Sequence, residues 1–188
     1  MKYYELRHDV ENDHQDYILN IKEKELTFNR YDAYEKTRIS ANKIICHSKN
    51  KNYLNYEHLW NNMLWSIVSE RVKDILNEIN IGECEFIPVY DVNDNENLVG
   101  YLLHCMNFVN AFDKINSEYS TSYYFHKWKI NKSVIVCKYA LLEKRIKDFD
   151  IFKLEKYGLS IIFVSERFKN LMEKYNVKGF AYTEVKVR

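Results

Sequence analysis

The chain has 188 residues, 46% of them hydrophobic and 15% aromatic, which is long enough to bury one sizeable core and too short for several, so one domain spanning 1–188 is expected. With 28 Lys and Arg against 27 Asp and Glu the formal net charge is +1, which excludes a global field that would draw in nucleic acid or an anionic membrane. Four Gly and one Pro exclude collagen-like, linker-like and disordered material.

The start, Met1 to Asp9, is charged within its first few positions and holds no apolar stretch of signal-peptide length, so a cytoplasmic location is expected. Apolar runs such as Ser160 to Ser165 are strand-sized and far short of the ~20 residues that span a bilayer, so no membrane association is expected. Cys46, Cys84, Cys105 and Cys137 lie far apart and form no CxxC pair, which reads as reduced, mostly buried thiols.

Along residues 1–60, Tyr3–Arg7, Tyr17–Ile21 and Lys43–His47 have strand character, and Tyr31–Thr37 has no decided pattern. Met63–Val68 is short, apolar and β-branched at its end, as a buried strand would be. Ser69 follows in the position of a helix N-cap, and Val72, Ile75, Leu76 and Ile79 then make an i, i+3, i+4, i+7 stripe. Asn80 stands at the helix end, where Asn tolerates the left-handed conformation, and Gly82 opens a return strand over Cys84–Tyr90. Asp91 to Asn97 is a polar turn joining that strand to Leu98–Met106 in a hairpin. Asn107 to Ile115 is expected to form a helical turn, Tyr119–Phe125 and Ser133–Tyr139 two further strands, and Glu143 to Asp150 a charged connector. Leu159–Val164, Ser165, the stripe Phe168, Leu171, Met172 and Tyr175, then Asn176 and Phe180–Val187 repeat the sequence strand, cap, helix, strand.

This last correspondence is literal. Val68-Ser69-Glu70-Arg71 recurs as Val164-Ser165-Glu166-Arg167, and the same ungapped shift matches Lys73 with Lys169, Asn80 with Asn176 and Val89 with Val185. The fold class expected is α+β, with a mainly antiparallel or mixed sheet and a duplicated strand–helix–strand unit at about 63–90 and 159–187.

Motifs that carry chemistry are sparse. The repeated Ser has no GxSxG elbow around it, and a capping hydroxyl is already engaged with backbone. Ser40 to Lys43 and Ser48 to Lys51 match SxxK without its companion motifs. His104-Cys105 and Cys46-His47 place metal-ligand types side by side, but neighbours on a strand point to opposite faces and cannot readily close on one ion. Asp91, Asn93 and Asn95 imitate the first ligands of a calcium loop, yet Glu96 replaces the Gly its sharp turn requires. Gly82, Gly100, Gly158 and Gly179 stand singly, so no phosphate-cradling loop exists. No catalytic residue, cofactor or metal is therefore assigned, and neither the carboxylates nor His8, His14, His58 and His126 single out an acid–base pair. The 16 Tyr and 3 Trp are side chains favoured at protein interfaces, and Tyr123, Tyr124 and Trp128 are the aromatic candidates for one.

Ile162 to Leu171, followed by Gly179-Phe180, resembles the ending of an immunity-protein family of bacterial polymorphic toxin systems. Gly100 to Leu103 running into Ala111-Phe112-Asp113 and Ser117 is similar to that family's middle segment, as is Ile151-Phe152-Lys153-Leu154 before the last strands. The likeness covers 63–187, and the N-terminal third departs from it. It implies a cytoplasmic protein that binds and neutralises a cognate toxin stoichiometrically, with no reaction of its own and no nucleic-acid or membrane partner. If that toxin is a basic nuclease, the acidic stretch Asp9, Glu11, Asp13 and Asp16 and the turn acids Asp91, Asp94 and Glu96 are expected to imitate phosphates. The alternatives are a small hydrolase or transferase whose site the sequence hides, and a structural subunit that self-associates as a homo-oligomer.

Overall fold

The computed structural model describes residues 1–9, 19–49, 55–126 and 129–188, with the backbone alone at 124–126 and 129–132. The fold is α+β, dominated by strands. A six-stranded sheet runs in the order β10 (Ala140–Leu141), β13 (Phe180–Val187), β1 (Tyr3–His8), β12 (Phe163–Ser165), β11 (Ile151–Leu154), β7 (Phe108–Val109). A five-stranded sheet runs β2 (Ile44–Cys46), β5 (Cys84–Asp91), β6 (Asn97–Cys105), β4 (Ile67–Val68), β3 (His58–Leu59). Among the described residues, β8 (Glu118–His126) and β9 (Lys129–Lys138) pair only with each other, as a long ribbon. The helices are α1 (Glu70–Ile75), α2 (Glu143–Ile146) and α3 (Glu166–Lys174).

The two copies of the repeat lie in different sheets and are built alike. β4 and β5 both run antiparallel to β6, which lies between them, and α1 makes the crossover. β12 and β13 both run antiparallel to β1, which lies between them, with α3 crossing over. Each residue of the repeated word has a task. Val68 and Val164 are buried in the core shared by α1, α3 and both sheets. The Ser69 hydroxyl accepts from the Val72 amide and the Ser165 hydroxyl from the Phe168 amide, both at 3.2 Å, so each satisfies an N–H that the first helical turn leaves orphaned. Glu70 and Glu166 sit in those first turns, at the positive end of the dipole. Arg71 binds the carboxylate of Glu57, and Arg167 that of Asp150 at 2.8 Å. Glu57 and Asp150 are also the residues whose carbonyls accept from the Ser69 and Ser165 amides.

Alternation along the strands divides the interior into three layers. Tyr4, Leu103 and Val164 face the helices, while their neighbours Tyr3 and Phe163 face a second cluster under α2 with Phe112, Leu141 and Ile146. Leu102, Ile87 and Val89 face a third, which Leu19, Ile21, Ala33 and Ile39 cover. Gly179 sits where the sheets meet: its φ is +96°, and a Cβ there would lie 2.7 Å from the His58 carbonyl oxygen.

Several segments depart from the sequence expectations. Over 63–68 only Ile67 and Val68 are strand, because buried Asn61 folds the preceding residues into a turn: its Oδ1 accepts from the Met63 and Trp65 amides and its Nδ2 donates to the Leu59 and Trp65 carbonyls. Asn107–Ile115 is not a helical turn. The Asn107 side chain accepts from the Glu83 amide at 2.7 Å and donates to the carbonyls of Ile81 and Ile151 at 2.6 and 3.0 Å, a tertiary clamp that leads into β7. The connector at 143–150 begins with α2, and the strand expected from Leu159 starts at Phe163. Asn176 has the left-handed φ of +51°, whereas in the first copy Gly82 takes it, at +59°, and Asn80 instead accepts from the Gly82 amide. Tyr17 and Ile18 of one expected strand lie outside the described residues, and its described part is no strand: Leu19 and Asn20 make isolated bridges to Asn61 and His47. Glu11, Asp13 and Asp16 also lie outside the described residues. Among the described residues no helix is long and apolar enough to cross a membrane.

Candidate functional site

The groups that the sequence offered for chemistry are engaged elsewhere. Ser165 is fully buried, and its hydroxyl also donates to Asp150 Oδ1 at 2.5 Å. His104 Nε2 meets the Thr37 carbonyl at 2.9 Å, and burial holds its pKa below the usual imidazole range. Cys46 is buried, and desolvation pushes its thiol up to about 12, while the adjacent His47 ring contacts Glu25 at 2.7 Å. Among the described residues no three His, Cys, Asp or Glu side chains gather as metal ligands would.

Asp91 is fully buried. Its carboxylate accepts from the hydroxyl and amide of Ser48 and from the Asn93 amide, so it ties β2 to the β5–β6 turn and presents no charge to a partner. This corrects its place in the acidic surface. Of the other two acids of that turn, Asp94 is half-buried and Glu96 is exposed, pairing with Lys43 at 3.1 Å.

The aromatic candidates lie on the ribbon. Tyr123 is 68% exposed on β8, opposite Lys132, and Tyr124 follows it opposite Asn131; Trp128 lies outside the described residues. Ile135 is also exposed, while Tyr119, 42% exposed, meets Phe112 edge-on at 5.9 Å near the ribbon's root, so the ribbon shows large side chains to solvent beyond the point where it leaves the body. Its root is fixed by the Asp113 and Ser117 of the middle motif. Asp113 accepts from the amides of Ile115 and Asn116 and from the Asn116 side chain, and hydrogen bonding there holds its carboxyl below the usual range. Ser117 Oγ accepts from the Ala140 amide at 2.9 Å, and the Asp113 amide donates to the Ala140 carbonyl at 2.9 Å. These two residues set the ribbon's exit from the body.

Beside β9 lies a groove of about 800 Å³, which pattern reading does not anticipate, lined by Tyr31, Leu64, Ser133, Val134, Tyr157 and Leu159 among others. Its wall is assembled from four chain segments. The Asn61 turn holds Leu64 at φ +57°, a conformation that costs a non-glycine residue about 1–2 kcal/mol, and leaves the side chain 66% exposed. Tyr34, on the 3-10 turn Arg30–Tyr34, anchors that turn by donating to the Met63 carbonyl at 2.6 Å. Lys153, from the Ile151-to-Leu154 motif, reaches the same element: its buried ammonium donates to the Ala33 carbonyl at 2.9 Å and lies 5.8 Å from the Tyr34 and Phe108 rings. Burial lowers the Lys153 pKa. The site thus sets aromatic and apolar side chains, with exposed Glu35 and Lys156 among them, beside the outer edge of β9.

A comparison with curated proteins finds no match. A family model described as Immunity protein family (Imm11) matches residues 2–187, which takes in the N-terminal third that the motifs alone leave out. The chain is a member of the Imm11 immunity protein family.

Proposed function

We propose that this protein neutralises a cognate bacterial toxin in the cytoplasm by stoichiometric binding, with no reaction of its own. Family membership across nearly the whole chain carries the reading. It is supported by the engagement of both repeated hydroxyls as helix caps and by exposed aromatic and apolar side chains on fixed elements. A stable complex of this kind buries about 1,200–2,000 Å² in total, with a few aromatic anchors dominating affinity. Tyr123 is the anchor proposed on the described surface, with Tyr124 and Trp128 beside it in sequence; Asp94 and Glu96 are the remaining acidic contacts proposed. The test is co-expression with the toxin domain that this reading expects to be encoded next to this chain. Growth rescue accompanied by co-purification is expected; rescue without any complex overturns the binding mechanism in favour of an enzyme acting on the toxin or its product.

A further inference from the structure

The free edge of β9 and the groove beside it form one composite feature. A two-stranded ribbon is marginal in water unless something covers it. Ser133 and Val134 of β9 line the groove, but their cross-strand partners on β8, Ser122 and Thr121, do not, so the groove lies along the outer side of β9 and not beneath the ribbon. Among the described residues, no backbone hydrogen bond joins β9 to any strand but β8, which leaves a row of outward-facing amides and carbonyls.

Resting on the reading of the chain as a toxin binder, we propose that an extended, acidic segment of the toxin adds to the β9 edge as a third strand and seats an apolar side chain in the groove against Leu64 and Leu159. Main-chain pairing supplies affinity in such an addition, and pockets for alternate side chains supply selectivity. Charge identifies the occupant. β9 contains Lys129, Lys132 and Lys138 and no acid; Lys138 pairs with Glu118 across the ribbon, and in the groove exposed Lys156 is matched by exposed Glu35, so the positive excess belongs to the strand and not to the groove. A second copy of this chain would set like charges against each other across the new pairing, which is unfavourable, whereas a strand bearing Asp or Glu would be drawn in. Leu64 fits this role because a backbone strained into the left-handed region exposes an apolar side chain at the groove wall.

The test uses the whole chain with its cognate toxin domain, identified by co-expression as above. Leu64→Gly relieves the left-handed strain while removing the anchor, so the variant is expected to melt no lower than the parent yet to bind the toxin at least tenfold more weakly. Leu159→Ser weakens binding in the same sense, and Lys156→Glu slows association at low salt. Backbone hydrogen exchange by NMR is expected to show alternate amides of 133–137 protected only in the complex. If the parent binds toxin but these variants bind equally well and the β9 amides stay unprotected, the docking site is refuted while the toxin-binding reading stands. If the parent fails to bind toxin, both fall together. Dimerisation of the free chain through β9, or binding of poly-uridylate RNA abolished by the lysine substitution, would overturn the assignment of the occupant.

Discussion

Ser69 and Ser165 occupy equivalent places in the repeat but not equivalent environments. Ser69 is half-buried and its hydroxyl accepts one amide, so Ser69→Ala is expected to cost about 1 kcal/mol of unfolding free energy. Ser165 is fully buried and also donates to Asp150, whose carboxylate then keeps only Arg167 among the described side chains that hydrogen-bond to it, so Ser165→Ala is expected to cost about 2–3 kcal/mol. Urea titration of the two variants checks the order; equal losses would mean that the Asp150 contact contributes nothing. Both caps were legible in the sequence because a cap is local: a Ser, an acidic first turn and an apolar stripe stand within a few residues of one another. Asp91 was misread for the opposite reason. Its acidic neighbours suggested a solvated turn, and only the arrival of Ser48 from a strand far off in sequence buries it. Leu64 was equally hidden, since nothing in a run of apolar residues announces a left-handed leucine.

At the scale of elements, β1 and β3 meet through a column of rings. His8 stacks on His58 at 3.9 Å, with Trp60 on the outer side of His8 at 6.2 Å and Phe180 on His58 at 4.4 Å. Burial holds His8 down to about 4, and burial together with the neighbouring His8 holds fully enclosed His58 well below the ordinary imidazole range. Unfolded histidines take up protons near 6.5, so between about pH 6.5 and 4 the unfolded state binds more protons than the native one. Stability from this pair is therefore complete above about 6.5 and lost as pH falls, by about 1.4 kcal/mol per pH unit for His8 down to about pH 4, with His58 acting in the same direction. Denaturant midpoints across that range should decline accordingly, and His8→Phe should flatten the slope; a slope unchanged in that variant would contradict the assignment. The ribbon makes the contrasting case. Its strands were legible from alternating β-branched and aromatic residues, but that neither strand joins a larger sheet was not, because edge pairing is a tertiary outcome. Replacing 120–136 by an Asn-Gly turn is expected to lower the melting temperature by only a few degrees while abolishing toxin binding. Global unfolding of that variant would show that the ribbon belongs to the core.

For the molecule as a whole, the repeat explains why α1 and α3 share one core although their crossover strands lie in different sheets: each copy buries its helix stripe against the other and against both sheets. Periodicity within 63–90 and 159–187 revealed the units but not their placement, because β6 and β1, which complete them, come from opposite directions along the chain. The N-terminal third was least legible. Residues 19–41 cover one face of the five-stranded sheet mainly with turns and 3-10 segments, which carry no sustained period. The resulting body places the groove and the ribbon on segments that the three cores hold in position, and the account depends on that surface acting by occupancy. The direct measurement is residual toxin activity against the molar ratio of this protein to toxin. A linear fall that ends at one chain per toxin, with the complex recovered intact, is predicted; complete loss of activity at a small fraction of one equivalent would contradict it.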